Sequence, residues 1–136
     1  MQQFSVVLRE LRAWFESFKW YPRIQAYSLH LLFGGLGVKF CMNCWRVLPY
    51  GGYSFIHTVF YTIPLVSLAN YAFLLGAWLT LVSKNVKYLP YGLWANAVLM
   101  IFPFTAISLS LLIPVAVYAF LGYALFKYTA SVYAEQ

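Results

Sequence analysis

The stretch YLPYGLWANAVLMIFPFTAISLSLLIPVAVYAFLGYALF, Tyr88 to Phe126, runs for 39 residues between Lys87 and Lys127 without a charged side chain. At 1.5 Å per residue a single helix of that length would reach about 60 Å, roughly twice the thickness of a bilayer's hydrocarbon core. Pro103 and Pro114 interrupt it, and Phe102-Pro103-Phe104-Thr105 reads as a turn. The spacing therefore favours a helical hairpin, 88–103 and 105–126, over one broken rod.

Upstream, the same pattern repeats. Residues 47–83 are free of charge for 37 positions and residues 24–38 for 15. The first of these predicts a span over 54–82, with Leu48-Pro49-Tyr50-Gly51-Gly52 as a turn ahead of it and a tilt, a bend at Pro64 or a protruding end to absorb its length. The second extends to 24–42 if Lys39 snorkels to an interface. The expectation is an all-α, polytopic membrane helical bundle of four spans, with three spans as the alternative.

Composition points the same way. Of 136 residues, 63% are apolar and 9% charged, and mean hydropathy is +0.73. Glu10, Glu16 and Glu135 are the only acids, so no carboxylate occurs from Ser17 to Ala134. A soluble enzyme needs more charge than this to cover its surface, and a disordered tail would be far less apolar. The soluble parts are too small to form a nucleic-acid-binding domain, so the formal charge of +6 is read as topology and lipid contact. In the four-span reading Arg9, Arg12, Lys19, Arg23, Lys84, Lys87 and Lys127 share one side, against Lys39 and Arg46 on the other. That bias puts the N-terminus in the cytoplasm.

Residues 1–22 form a separate element, ahead of a membrane domain at 23–128 and a short polar tail at 129–136. Phe4, Leu8, Leu11, Phe15 and Phe18 recur at helical spacing, with Val7 and Trp14 beside them. Such an amphipathic helix is expected on the membrane surface, with Arg9, Arg12, Trp14, Lys19 and Trp20 in contact with lipid. Packing of the same face on its own bundle is the alternative. Its length and its acids argue against a secretory signal or a mitochondrial presequence.

Two stripes of small residues predict close helix contacts, within the chain or with a partner: Ala26, His30 and Gly34, and Ala72, Gly76 and Thr80. Asn70 and Asn96 are costly to leave unpaired in lipid and are expected to face another helix or a partner chain. A weak internal repeat pairs Leu48–Gly51 with Leu89–Gly92, and Tyr71–Leu74 with Tyr118–Leu121.

Chemistry-bearing residues are few. Cys41 and Cys44 lie three apart, a spacing that suits a small disulfide or a redox dithiol, but no second cysteine pair exists to receive a substrate. His30 and His57 are the only imidazoles, too few with no nearby carboxylate for a zinc site and poorly matched in depth for a haem. No cofactor is expected, neither haem nor quinone, and lipid is the expected bound component. No span contains an acid, which argues against a carrier that uses its own carboxylate. The function these features favour is a small accessory or assembly subunit that contacts lipid and larger membrane subunits or copies of itself. The alternatives are a homo-oligomeric channel or carrier for a neutral or anionic species, and a thiol–disulfide protein using Cys41 and Cys44.

Overall fold

The computed structural model describes residues 2–47, 58, 62–102, 104 and 107–134. Six α-helices occur among them: α1 (Gln2–Glu16), α2 (Tyr21–Ala26), α3 (Ser28–Val47), α4 (Leu65–Val82), α5 (Leu89–Ile101) and α6 (Leu109–Ala134). A 3-10 turn, Val86–Tyr88, leads into α5. Two helical segments, Leu65–Val82 and Leu109–Ser131, are long and apolar enough to cross a membrane.

The prolines set the boundaries. Pro22 and Pro90 sit in the first turn of α2 and α5, where a missing N–H costs nothing. Pro64 caps the start of α4. Its ring disfavours helical geometry at the residue before it. The same effect ends α5: Phe102, ahead of Pro103, is extended with ψ 132°. The 88–126 stretch is thus two helices, as the hairpin reading has it. Pro114 lies inside α6, which runs on to Ala134 through most of the expected polar tail. The Leu48–Gly52 turn, His57, Pro103 and Thr105 lie outside the described residues, as do the first copy of the Leu-Pro-Tyr-Gly repeat and most of 54–61.

Contacts between helices give the topology. Gly35 abuts Ala69 and Phe73, while Gly76 abuts Leu31 and Leu32, so α3 and α4 are antiparallel. Leu32 touches Gly92 and Lys39 meets Asn96, so α3 and α5 run parallel. Trp94 meets Ala119 and Gly122, and Tyr91 meets Phe126, which makes α5 and α6 antiparallel. The core between α3, α4 and α5 is built from Leu32, Leu36, Phe73, Leu89 and Leu93. Helix α6 lies against α5 and the turn before it, with most of its other surface exposed.

Helix α1 lies at the end of the bundle where α3 and α5 begin and α4 and α6 end. Leu8 is buried, and Phe15 and Phe18 pack against Tyr21, Leu79 and Val82. The apolar stripe read from the sequence is thus seated on the bundle itself, leaving Val6, Val7 and Trp14 outward. The end of α4 explains why. Its last carbonyls lack helical partners and carry partial negative charge. Ser83 N–H takes those of Leu79 and Thr80, while the Arg12 guanidinium donates to Val82 and Ser83 at 3.0 and 2.9 Å. Arg12 therefore turns inward as a cap rather than outward to lipid. Arg9, Lys19 and Trp20 remain exposed.

Candidate functional site

Where α3, α4 and α5 meet, one charged side chain is held between two amides. Lys39 Nζ donates to Asn70 Oδ1 at 2.8 Å and to Asn96 Oδ1 at 2.7 Å, and lies 5.3 Å from the centre of the Phe73 ring. Lys39 is eleven residues past Ser28 and eight before Val47, about 16 Å and 12 Å from the two ends of α3. It does not reach along the helix toward either end, as snorkelling requires. Two strong acceptors at the same depth win over that extended conformation, since a hydrogen bond from a charged donor is worth about 1.5–3 kcal/mol. Asn96 is 2% exposed and Phe73 1%, whereas Asn70 lies on the surface. Access to the ammonium is therefore past Asn70.

One turn farther along α3, Asn43 Nδ2 donates to the Leu99 carbonyl at 3.1 Å. Leu99 belongs to the last turn of α5, whose carbonyls have no partner within the helix. The Asn43 amide supplies one. The Asn96 amide also approaches Met100 Sδ at 3.9 Å. Lys39, Asn43, Asn70 and Asn96 thus form a polar stripe across α3, α4 and α5.

Below this cluster, an apolar cleft of about 640 Å³ separates α4 from α6. Leu74, Trp78 and Leu81 form one wall, Leu121 and Leu125 the other, and Leu89 and Leu93 the floor. Phe4 of α1 closes one end, with its ring edge-on to Tyr128 at 5.3 Å. Helical spacing links cleft and cluster: Asn70 is one turn before Leu74, and Asn96 is three residues after Leu93.

The two expected packing stripes fare differently. Gly76 and Thr80 are buried against α3, with Thr80 Oγ1 bonded to the Gly76 carbonyl at 2.6 Å, and Ala72 is half-buried. Ala26, His30 and Gly34 face outward. A Cβ built on Gly34 meets nothing within 4 Å among the described residues, while Gly35 makes the contact with α4. One residue turns a helix by about 100°, and adjacent glycines leave that phase open in the sequence. Among the described residues His30 is exposed, with its ring 6.2 Å from that of Tyr27.

Cys41 and Cys44 are free thiols, one exposed and one half-buried. Among the described residues no group of three histidine, cysteine or acidic side chains is placed to hold a metal. At the basic end, Tyr21 is almost fully buried with its hydroxyl unpartnered among the described residues. Burial raises its pKa above the ordinary 10.0, opposed by Arg12 and reinforced by Glu16.

The inward turn of Lys39 and the Asn43 and Arg12 caps are what the sequence reading missed. The signal for Lys39 was available. Asn70 and Asn96 each needed a partner, and Lys39 is the one long donor near mid-helix in α3. Compared with protein-family models, curated proteins and solved structures, the chain matches none.

Proposed function

We propose that the chain is an integral, multi-pass membrane protein whose helices α3 to α6 cross the bilayer, and that it serves as an accessory or assembly subunit of a larger membrane complex. The observation that carries this reading is the surface of α6. Leu109, Ile113, Phe120 and Tyr123 are 78%, 61%, 70% and 58% exposed, along a helix long enough to span a membrane and packed on one side. In water such a surface would aggregate. In a membrane it meets lipid on part of its circumference and another protein's helix on the rest.

Charge supports the orientation. Arg9, Arg12, Lys19, Arg23, Lys84, Lys87 and Lys127 belong to the end where α1 docks, against Arg46 at the other, which favours a cytoplasmic N-terminus. Lys39 leaves the outer count and joins the interior. Helix α5 is about 20 Å long and needs the residues after Ile101 to complete a crossing, which keeps three full spans as the alternative. Exposed Arg9, Lys19, Trp14 and Trp20 suit anionic headgroups at the same end.

A second reading, a homo-oligomeric channel or carrier for a neutral or anionic species, draws support from the cation held by Asn70 and Asn96. The accessory reading is preferred because the cleft below that cluster is lined by apolar side chains, which offer no path for a polar solute. The test is the mass of the native assembly after gentle extraction. An assembly containing unrelated membrane subunits is expected. A solitary chain, or a ring of identical copies, would overturn the accessory role.

A further inference from the structure

We propose that Lys39, held by Asn70 and Asn96 above the α4–α6 cleft, is the docking point for an acidic side chain on a membrane helix of a partner protein. The inference rests on the accessory-subunit reading and adds the chemistry of the partner.

Charge carries the argument. An ammonium group has three protons, and two are taken by neutral amide oxygens at 2.8 and 2.7 Å. Those oxygens satisfy hydrogen bonds and leave the charge unbalanced. In a low-dielectric setting an unbalanced charge is costly, and intramembrane lysines are accordingly found paired. Residues 17–134 contain no carboxylate to pair with it. Glu10 and Glu16 are in α1, at the end of the bundle about 16 Å along α3, and Glu135 lies outside the described residues. Among the described residues no acid reaches Lys39, which leaves the counter-charge to another molecule.

Depth selects its kind. A lipid phosphate sits at the headgroup level, and Lys39 lies well inside both ends of α3 with its side chain turned sideways into Asn70 and Asn96. A carboxylate fixed on a helix reaches that depth without distortion. The shape of the surface agrees. Helices α4 and α6 are splayed along the cleft and touch at its upper end, where the Phe73 and Tyr118 rings lie 6.4 Å apart, and a helix laid over the groove would contact Leu74, Trp78, Leu121 and Leu125. One turn above Leu74 it would pass exposed Asn70, the open side of the ammonium. Apolar contacts along the groove with one charged contact near mid-depth are what a helix with a single central Asp or Glu supplies.

The test uses the full chain in neutral phosphatidylcholine vesicles and a designed leucine–alanine membrane helix with one central Glu, compared with the same helix carrying Gln. Association is read by energy transfer between labels. The wild-type chain is expected to bind the Glu helix about tenfold more tightly than the Gln helix, a preference that K39R keeps and K39M erases. N70D gives a second check that retains the lysine. An internal carboxylate in place of Asn70 satisfies Lys39 and should abolish the preference for Glu. Equal binding of the two helices by the wild type, binding of neither, or a preference that survives both K39M and N70D would overturn the proposal. Uptake of a long-chain fatty acid that depends on Lys39, with no preference between helices, would also overturn it and assign the carboxylate to lipid. Any of these results from a chain that still sits in a large native assembly defeats the inference alone. A chain found solitary in its native membrane defeats the reading beneath it.

Discussion

Replacing Gly76 with alanine tests the central helix contact, because the expected effect has the opposite sign from that of the same change at Gly34. A Cβ on Gly76 would lie 2.7 Å from Leu32 Cα and 2.8 Å from the Leu31 carbonyl carbon, closer still to Leu32 N, and all of these are backbone atoms. Ordinary contact begins near 3.4 Å, so α3 and α4 must separate by roughly half an ångström to an ångström, enough to forfeit a quarter to a half of the dispersion energy across the seam. Leu32 and Phe73, at 0% and 1% exposure, lose most. Overpacking of this kind costs about 1–3 kcal/mol. Alanine returns about 0.5–1 kcal/mol through helix propensity. The net expectation for Gly76→Ala is a loss of ~1–2 kcal/mol. At Gly34 nothing lies within 4 Å of a built Cβ among the described residues, so Gly34→Ala keeps only the propensity gain, about 0.5–1 kcal/mol. Denaturation of the detergent-solubilised chain by dodecyl sulfate, followed by circular dichroism, reads both changes on one scale. Equal midpoints for the two variants, or a stabilised Gly76→Ala, would refute the α3–α4 seam.

Other outcomes follow from single contacts. Arg12→Met removes two hydrogen bonds from the end of α4 and should cost about 1–3 kcal/mol, with faster hydrogen exchange in α1 as the direct reading. Protection of α1 unchanged by Arg12→Met would count against the cap. Gly122→Val places a side chain against the Trp94 indole, so α6 should loosen from α5 and become the first helix cleaved by added protease. The Tyr21 phenol holds its proton more tightly in the fold than its ordinary value near 10.0. Its contribution to stability is therefore fully present below pH 10 and lost as pH rises through the folded value, and Tyr21→Phe should flatten stability across that range. A steep alkaline loss that persists in Tyr21→Phe would assign it to another group. Cys41→Ser should shift stability by less than about 0.5 kcal/mol, as its thiol is free and exposed.

Helix content, the basic end and the end of α5 at Phe102 were legible because they depend on local rules: charge-free runs, proline geometry and helical period. The amphipathic face of the N-terminal helix was legible too, but its seat was not. Periodicity says which face is apolar and is silent on whether lipid or a helix bundle covers it. The same limit applies to α3, where Gly34, Gly35 and Gly37 permit close approach on two faces, and Leu32 and Leu36 decide between them through packing with α4. Lys39 was misread for a more instructive reason. Snorkelling is the default when a lysine has only lipid around it, and this lysine has two amides on separate helices, 31 and 57 positions away in the chain. Long-range polar partners of this kind have no local signature.

The strap from Arg12 to the end of α4 also constrains the order of events during synthesis. Its acceptors are 70 and 71 positions downstream of the donor. At about 5–20 residues per second, the N-terminal segment must wait on the order of 4–14 seconds before its dock exists. During that interval Phe4, Leu8 and Phe15 have no bundle to cover them, and in the membrane reading proposed above the bilayer surface is the natural resting place for a basic, amphipathic segment. On that reading lipid would hold α1 transiently until the emerging end of α4 offers its carbonyls.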